Sequence, residues 1–185
     1  MFKPEGAEKL SVSNYMKFVE GANKFRILSQ PVTGFEYWLD GDGNLVARGE
    51  MAGEGGKPVR VKQLIQVDKS LWTNMKAFAA MIVWNYSVSR IQILEIKQVG
   101  IMNQLDALDS NSDWGDIKGY DITITKKKTG EESKNVDYIV TPSPIKPLSE
   151  EVLKAYNETK VNIEALFTGE DPFDSKDLDL DDLVK

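Results

Sequence analysis

The chain has 185 residues, 41% of them apolar, enough to bury one substantial core, so a single domain with extended termini is the simplest organisation. It contains no histidine and no cysteine, which excludes Ser-His-Asp triads, Cys-His pairs, imidazole and thiolate metal sites and disulfides, and would leave an enzyme only carboxylates, lysines or tyrosines to work with. The net charge of −6 is unevenly spread: residues 170–185 hold seven of the 29 acids and two of the 23 bases, hence five of the six net negative charges, on a body that is close to neutral.

No stretch of about 18 apolar residues occurs, and Met1-Phe-Lys-Pro-Glu-Gly6 lacks a signal peptide's apolar run, so the sequence predicts a soluble, cytoplasmic protein without a membrane partner. Along the chain, Lys24–Gln30 alternates as a strand up to Pro31, and Phe35–Leu39 continues it after Gly34. Asp40-Gly-Asp-Gly-Asn44 supplies turn residues and Leu45–Arg48 leads away, which reads as a hairpin. Gly53–Pro58 reads as a mobile loop and Val59–Val67 as an alternating strand with Arg60 and Lys62 on its exposed side. Phe78–Gln98 is the apolar centre, a long buried hairpin through Ser87-Val-Ser89, with a helix over 72–81 as the open alternative. Ile101, Leu105 and Leu108 keep helical spacing and predict a short helix over 99–109. Tyr120–Lys126 and Val136–Val140 form a further hairpin, three prolines at 142, 144 and 147 close the β region, and Ser149-Glu-Glu151 caps a helix whose apolar face includes Val152, Tyr156, Ile163 and Leu166.

Three chemical motifs fail on inspection. Asp40–Asn44 copies the opening of an EF-hand loop, but Leu45 stands where glycine is needed and Met51 where the bidentate glutamate belongs. Gly56-Lys57 lacks the Ser or Thr of a phosphate-binding loop, since Pro58 follows. Asp106, Asp109, Asp113 and Asp116 could hold magnesium in a carboxylate-dependent nuclease, yet acids around a helix end are mostly solvated. What remains is a β-rich body that mixes aromatics and bases on the same strands, the combination that stacks bases and tracks phosphates of single-stranded nucleic acid. Trp38 falls on the face opposite Phe35 and Tyr37, while Trp84 and Tyr86 lie in so apolar a run that burial is their default.

The segments Asn23–Leu28, Gly34–Trp38, Trp84-Asn-Tyr86, Arg90–Ile96, Asp113-Trp-Gly-Asp116, Gly119–Ile122 and Tyr138–Pro144 together resemble those of phage-type single-stranded DNA-binding proteins over roughly residues 20–150. The resemblance implies a mainly β fold, an OB-like five-stranded or extended β-barrel with one or two short helices, and a disordered acidic tail that recruits replication or recombination proteins. It divides the chain into an N-terminal extension (1–19), the DNA-binding domain (20–148), a C-terminal helix (149–169) and the tail (170–185). One departure is that many such proteins end on an aromatic residue, whereas this chain ends Leu183-Val-Lys185 and has its tail aromatic at Phe173.

The expected activity is non-catalytic, sequence-independent coating of single-stranded DNA, with no metal or cofactor, in the cytoplasm of the host if the gene is a phage's. Tyr37, Trp38 and Tyr86 are the expected stacking residues, and Arg26, Arg48, Arg60, Lys62 and Lys126 the expected phosphate contacts. Asp171, Phe173, Asp177, Asp179, Asp181 and Asp182 are the tail residues expected to meet partners. Self-association into a homo-oligomer is left open. The competing readings are a phage structural or adaptor protein that binds other proteins, with the tail as an inert solubiliser, and the nuclease considered above.

Overall fold

The structure, a computed structural model, describes residues 13–39, 45–46, 58–132 and 134–174. The fold is mainly β. Nine strands occur among the described residues: β1 (Tyr15–Met16), β2 (Gly21–Ile27), β3 (Val32–Leu39), β4 (Leu45–Val46), β5 (Val59–Val61), β6 (Lys76–Asn85), β7 (Arg90–Ile96), β8 (Asp121–Lys128) and β9 (Val136–Pro142). Two α-helices accompany them, α1 (Val99–Asp109) and α2 (Glu150–Glu158), with short 3-10 turns at 64–66, 69–74, 117–119 and 163–167. None of these helices is long and apolar enough to cross a membrane.

The main ladder runs β1-β7-β6-β2-β8-β9, antiparallel except for the β1/β7 pair, in which Tyr15 lies opposite Ile93 and Met16 opposite Leu94. β6 is the hub. Its second half pairs with β2 (Ile27 opposite Val83) and its first half with β3 (Val32 opposite Ala80, Glu36 opposite Lys76), while β5 lies on the far side of β3. β9 and β1 are not backbone partners, so the barrel stays open, but Phe18 just after β1 meets the Tyr138 ring of β9 at 5.9 Å between centroids. The two ends of the ladder therefore approach through side chains, a barrel-like curl that is broadly OB-like.

The near-continuous apolar run of β6 is explained by cover on both faces. Met81 and Val83 turn with Phe25, Ile27, Leu94, Ile96, Ile122 and Ile124 toward Ile101 and Leu105 of α1. Ile82 and Trp84 pack with Ile91 under Val152 of α2, and Phe78, Ala80 and Ile93 pack under Leu166. The expected hairpins at 78–98 and 120–140 and the helix at 99–109 are thus present, and Ser149 caps α2 by accepting from the Val152 amide at 3.3 Å. In the β6–β7 turn the Asn85 side chain accepts from the Ser87 amide and hydroxyl at 3.0 Å, and Ser89 takes a φ of 48° to bring the chain back. Gly34 is required by close approach: a Cβ there would stand 2.5 Å from the Val61 carbonyl and 2.9 Å from the Phe167 ring.

Four local expectations change. The helix foreseen over 149–169 stops at Glu158, where the Thr159 amide still donates to the Ala155 carbonyl, and Ile163 and Leu166 belong to a separate 3-10 turn at Ile163–Phe167. The strand foreseen over 59–67 stops at Val61 because a 3-10 turn at Leu64–Gln66 takes over, the Gln66 side chain accepting from the Gln63 amide at 2.9 Å and the Val67 amide donating to the Leu64 carbonyl at 3.0 Å, which leaves Ile65 84% exposed; Asp68 then caps the next turn by accepting from the Ser70 amide at 2.8 Å. The alternative helix over 72–81 is a 3-10 turn to Asn74 followed by β6. Near the termini, order reaches further than the sequence implied: Met16 is buried at the β1 edge, and Pro172 is buried with its carbonyl accepting from the Asn162 amide at 2.8 Å. On α1, the Gln104 side chain donates to the Tyr138 carbonyl (3.1 Å) and accepts from the Val140 amide (3.0 Å) of β9.

Candidate nucleic-acid interface

Where the ladder fails to close, a groove of about 630 Å³ opens along β1, β7 and the ends of β3, β8 and β9. Among the described residues its lining holds four bases (Lys17, Arg60, Lys97, Lys126), four aromatics (Tyr15, Phe18, Trp38, Tyr138) and one acid, Glu95. A second hollow of about 540 Å³ shares Gln98, Lys126 and Tyr138 with it and adds Lys134 and Asp137, so the two form one track past the β9 edge. The Lys126 ammonium reaches the Phe18 carbonyl at 3.5 Å, and Lys126 stands opposite Tyr138 in the β8–β9 register.

The floor beside Trp38 is an ion network. Glu36 is 2% exposed, and its Oε2 accepts from Nε and Nη2 of Arg60, both at 3.2 Å, while its Oε1 meets Lys97 Nζ at 2.6 Å. Arg60 Nη2 also donates to Glu95 Oε2 at 3.0 Å, and its guanidinium covers the Phe78 ring at 4.7 Å. Burying one carboxylate is tolerable here because two cations and several hydrogen bonds answer it. Burial and the nearby Glu95 push the Tyr15 hydroxyl above its ordinary value, against the opposing pull of Arg60, so Tyr15 stays neutral at physiological pH.

Of the residues expected from sequence, Trp38, Arg60 and Lys126 line this groove, but Arg60, expected on the exposed side of its strand, has a side chain only 7% exposed because Glu36 and Glu95 hold it. The others do not line the groove. Tyr37 points to the opposite side of β3 from Trp38, paired in register with Val59, and is absent from the groove lining. Lys62 is exposed but bonded to Glu164 at 2.7 Å and placed over the Phe167 ring at 5.2 Å, so it clamps the C-terminal segment against β5. Arg26 requires correction as a phosphate contact: its guanidinium is buried, donating to the Lys118 carbonyl (2.7 Å), the Lys146 carbonyl (2.8 Å) and Asp121 (3.3 Å). Tyr86 belongs to the same centre. Its hydroxyl donates to Asp121 at 2.8 Å, and Lys24 and Lys146 stand over its ring at 5.0 and 5.8 Å. Burial, with the hydrogen bond and charge of Asp121, pushes the Tyr86 pKa up to about 12.

Phe173 is likewise no free tail aromatic. It packs edge-on against Tyr15 at 6.4 Å, its amide donating to Asp171 at 3.0 Å. Arg48, Asp177, Asp179, Asp181 and Asp182, and the turn and loop at 40–44 and 53–57, lie outside the described residues. Trp84 is buried as its apolar context required, and among the described residues no three acids are grouped as a metal site.

Sequence reasoning missed Lys17, Phe18, Lys97 and Tyr138 as groove residues. The alternation of 136–140 puts Tyr138 on the same side as Val136 and Val140, and with the β8–β9 register it would have pointed to Lys126 as its neighbour. Lys17 and Phe18 carry no local signal, since a two-residue strand sets their position. Trp72, also unforeseen, is partly exposed, with Nε1 donating to the Leu64 and Val67 carbonyls (3.2 Å each) and Lys69 over its ring at 5.9 Å. Against this geometry no protein family, curated protein or solved structure matches the chain.

Proposed function

We propose that the protein is a non-catalytic, sequence-independent binder of single-stranded DNA that coats exposed strands in replication or recombination. The observation that carries the reading is the groove itself, in which four bases and four aromatics stand with one acid, Glu95, among the described lining residues. Flat rings accept any base by stacking, while cations follow the phosphates, so affinity without sequence preference is the chemistry this lining favours. The likeness of the sequence to phage-type single-stranded DNA-binding proteins points the same way, and recruitment of replication or recombination proteins by the acidic tail accompanies it.

Titration with oligo-dT, followed by intrinsic tryptophan fluorescence, tests the reading. Quenching of Trp38 is expected at low salt, with duplex of equal length competing poorly. Absence of binding at 50 mM salt, or equal binding of duplex, would overturn it, and preference for oligo-U would redirect it to RNA.

A further inference from the structure

Within the single-strand reading, on which this inference rests, we infer that Glu95 occupies the place of a nucleotide phosphate in the free groove and is displaced when the strand enters. The two acids at Arg60 and Lys97 are not equivalent. Glu36 is buried in the floor, fixed by register between Arg60 of β5 and Lys76 of β6, and uses both oxygens, Oε2 on Arg60 and Oε1 on Lys97. Removing it would strand two cations in a poorly hydrated site.

Glu95 stands at the outer end of β7 and forms part of the groove wall, with its side chain 19% exposed. It reaches both cations through one oxygen, Oε2, at 3.0 Å from Arg60 Nη2 and 3.8 Å from Lys97 Nζ. An anionic oxygen held between a guanidinium and an ammonium on the wall of an aromatic-lined track is the contact a phosphate oxygen would make. A carboxylate there satisfies both cations while the groove is empty, and a phosphate oxygen that takes its place restores the contact Arg60 would otherwise lose.

Charge counting gives the consequence. With Glu95 seated, Arg60, Lys97, Glu36 and Glu95 sum to zero; once it swings away the same site offers one positive charge to the strand. Glu95 thus lowers affinity and flattens the salt response by one phosphate contact.

The test is Glu95→Gln, with oligo-dT affinity measured by fluorescence from 50 mM to 1 M salt. Removing the competing charge should steepen the slope of log K against log salt by about 0.7, which amounts to roughly eightfold tighter binding at 50 mM relative to 1 M. Glu95→Thr removes the same charge without leaving an amide carbonyl on Arg60, and the same change of slope is expected; it serves as the independent variant if Gln lowers the thermal midpoint. Binding by the unaltered protein with no steepening in either variant would overturn the inference while leaving the single-strand reading intact. No binding by the unaltered protein at 50 mM salt would remove the reading on which it rests.

Discussion

Replacing Asp121 by asparagine removes the charge at the centre of a buried polar cluster remote from the groove. Its carboxylate is fully buried: Oδ1 accepts from the Tyr86 hydroxyl (2.8 Å) and Arg26 (3.3 Å), while Oδ2 meets the ammonium groups of Lys146 (2.7 Å) and Lys24 (3.2 Å). Lys24 and Lys146 are nearly half exposed and water can take over their charges, so their share is small. Arg26 is buried and cannot escape. Breaking a buried pair costs about 3–5 kcal/mol, and because Arg26 keeps the carbonyls of Lys118 and Lys146 we expect the lower end, about 3 kcal/mol at pH 7.

Burial by itself would raise the Asp121 pKa, but hydrogen bonds from Lys146, Tyr86, Lys24 and Arg26 outweigh it and hold the carboxyl below its ordinary 3.8. A folded-state value depressed in this way gives stability that is complete above the unfolded value and is lost as pH falls through the lower folded one. Urea unfolding from pH 7 down to pH 2 should therefore show a difference between wild type and Asp121→Asn that holds to about pH 4 and shrinks below it. A difference under about 1 kcal/mol at pH 7, or one that stays constant through the acid range, would refute the assignment of Arg26 and Asp121 to structure.

Trp38→Ala should weaken oligo-dT binding by about 1–3 kcal/mol with little change in the urea midpoint, and Lys126→Ala should lower the salt slope by about 0.7 for every sequence alike, both read by fluorescence titration. Truncation after Asp174, which spares the packed Pro172 and Phe173, should tighten binding most at low salt, since the chain leaves the described fold beside Tyr15 of the groove wall and holds four acids against two lysines over 175–185 at an effective concentration on the order of millimolar. Equal affinity of the truncated and full chains in 50 mM salt would reduce that segment to a solubilising appendage.

Elements whose pattern is local were legible in the sequence. The β6–β7 and β8–β9 hairpins announce themselves by alternation and turn residues, α1 by its Ile101–Leu105–Leu108 spacing, and α2 by Ser149. Features made by distant segments were not. Alternation within β2 sets Lys24 and Arg26 on one side, and nothing nearby tells that Arg26 faces an acid 95 residues later while Lys24 reaches solvent. The groove was half legible for the same reason: Trp38, Arg60 and Lys126 follow from aromatic and basic residues on strands, but Lys17 and Phe18 enter only because two residues of the N-terminal segment pair with β7. The short β5 escaped notice because Val59–Val67 alternates well enough for a strand, and the Gln63–Gln66 turn that ends the pattern acts through the backbone.

The pairing of Gln104 with β9 bears on how molecules behave when crowded. β9 is the last strand of the ladder, and a strand with an open edge is a template for another chain's backbone, the more so with Ile139 half exposed beside it. One edge of a primary amide offers a donor and an acceptor side by side, and Gln104 gives both to the outward-facing groups of Tyr138 and Val140 while its Nε2 also donates to the Gly100 carbonyl of its own helix. A side chain thus plays the part of a tenth strand one residue long. Copies packed side by side find the middle of that edge already taken, and zippering into a continuous intermolecular sheet would first have to peel α1 away.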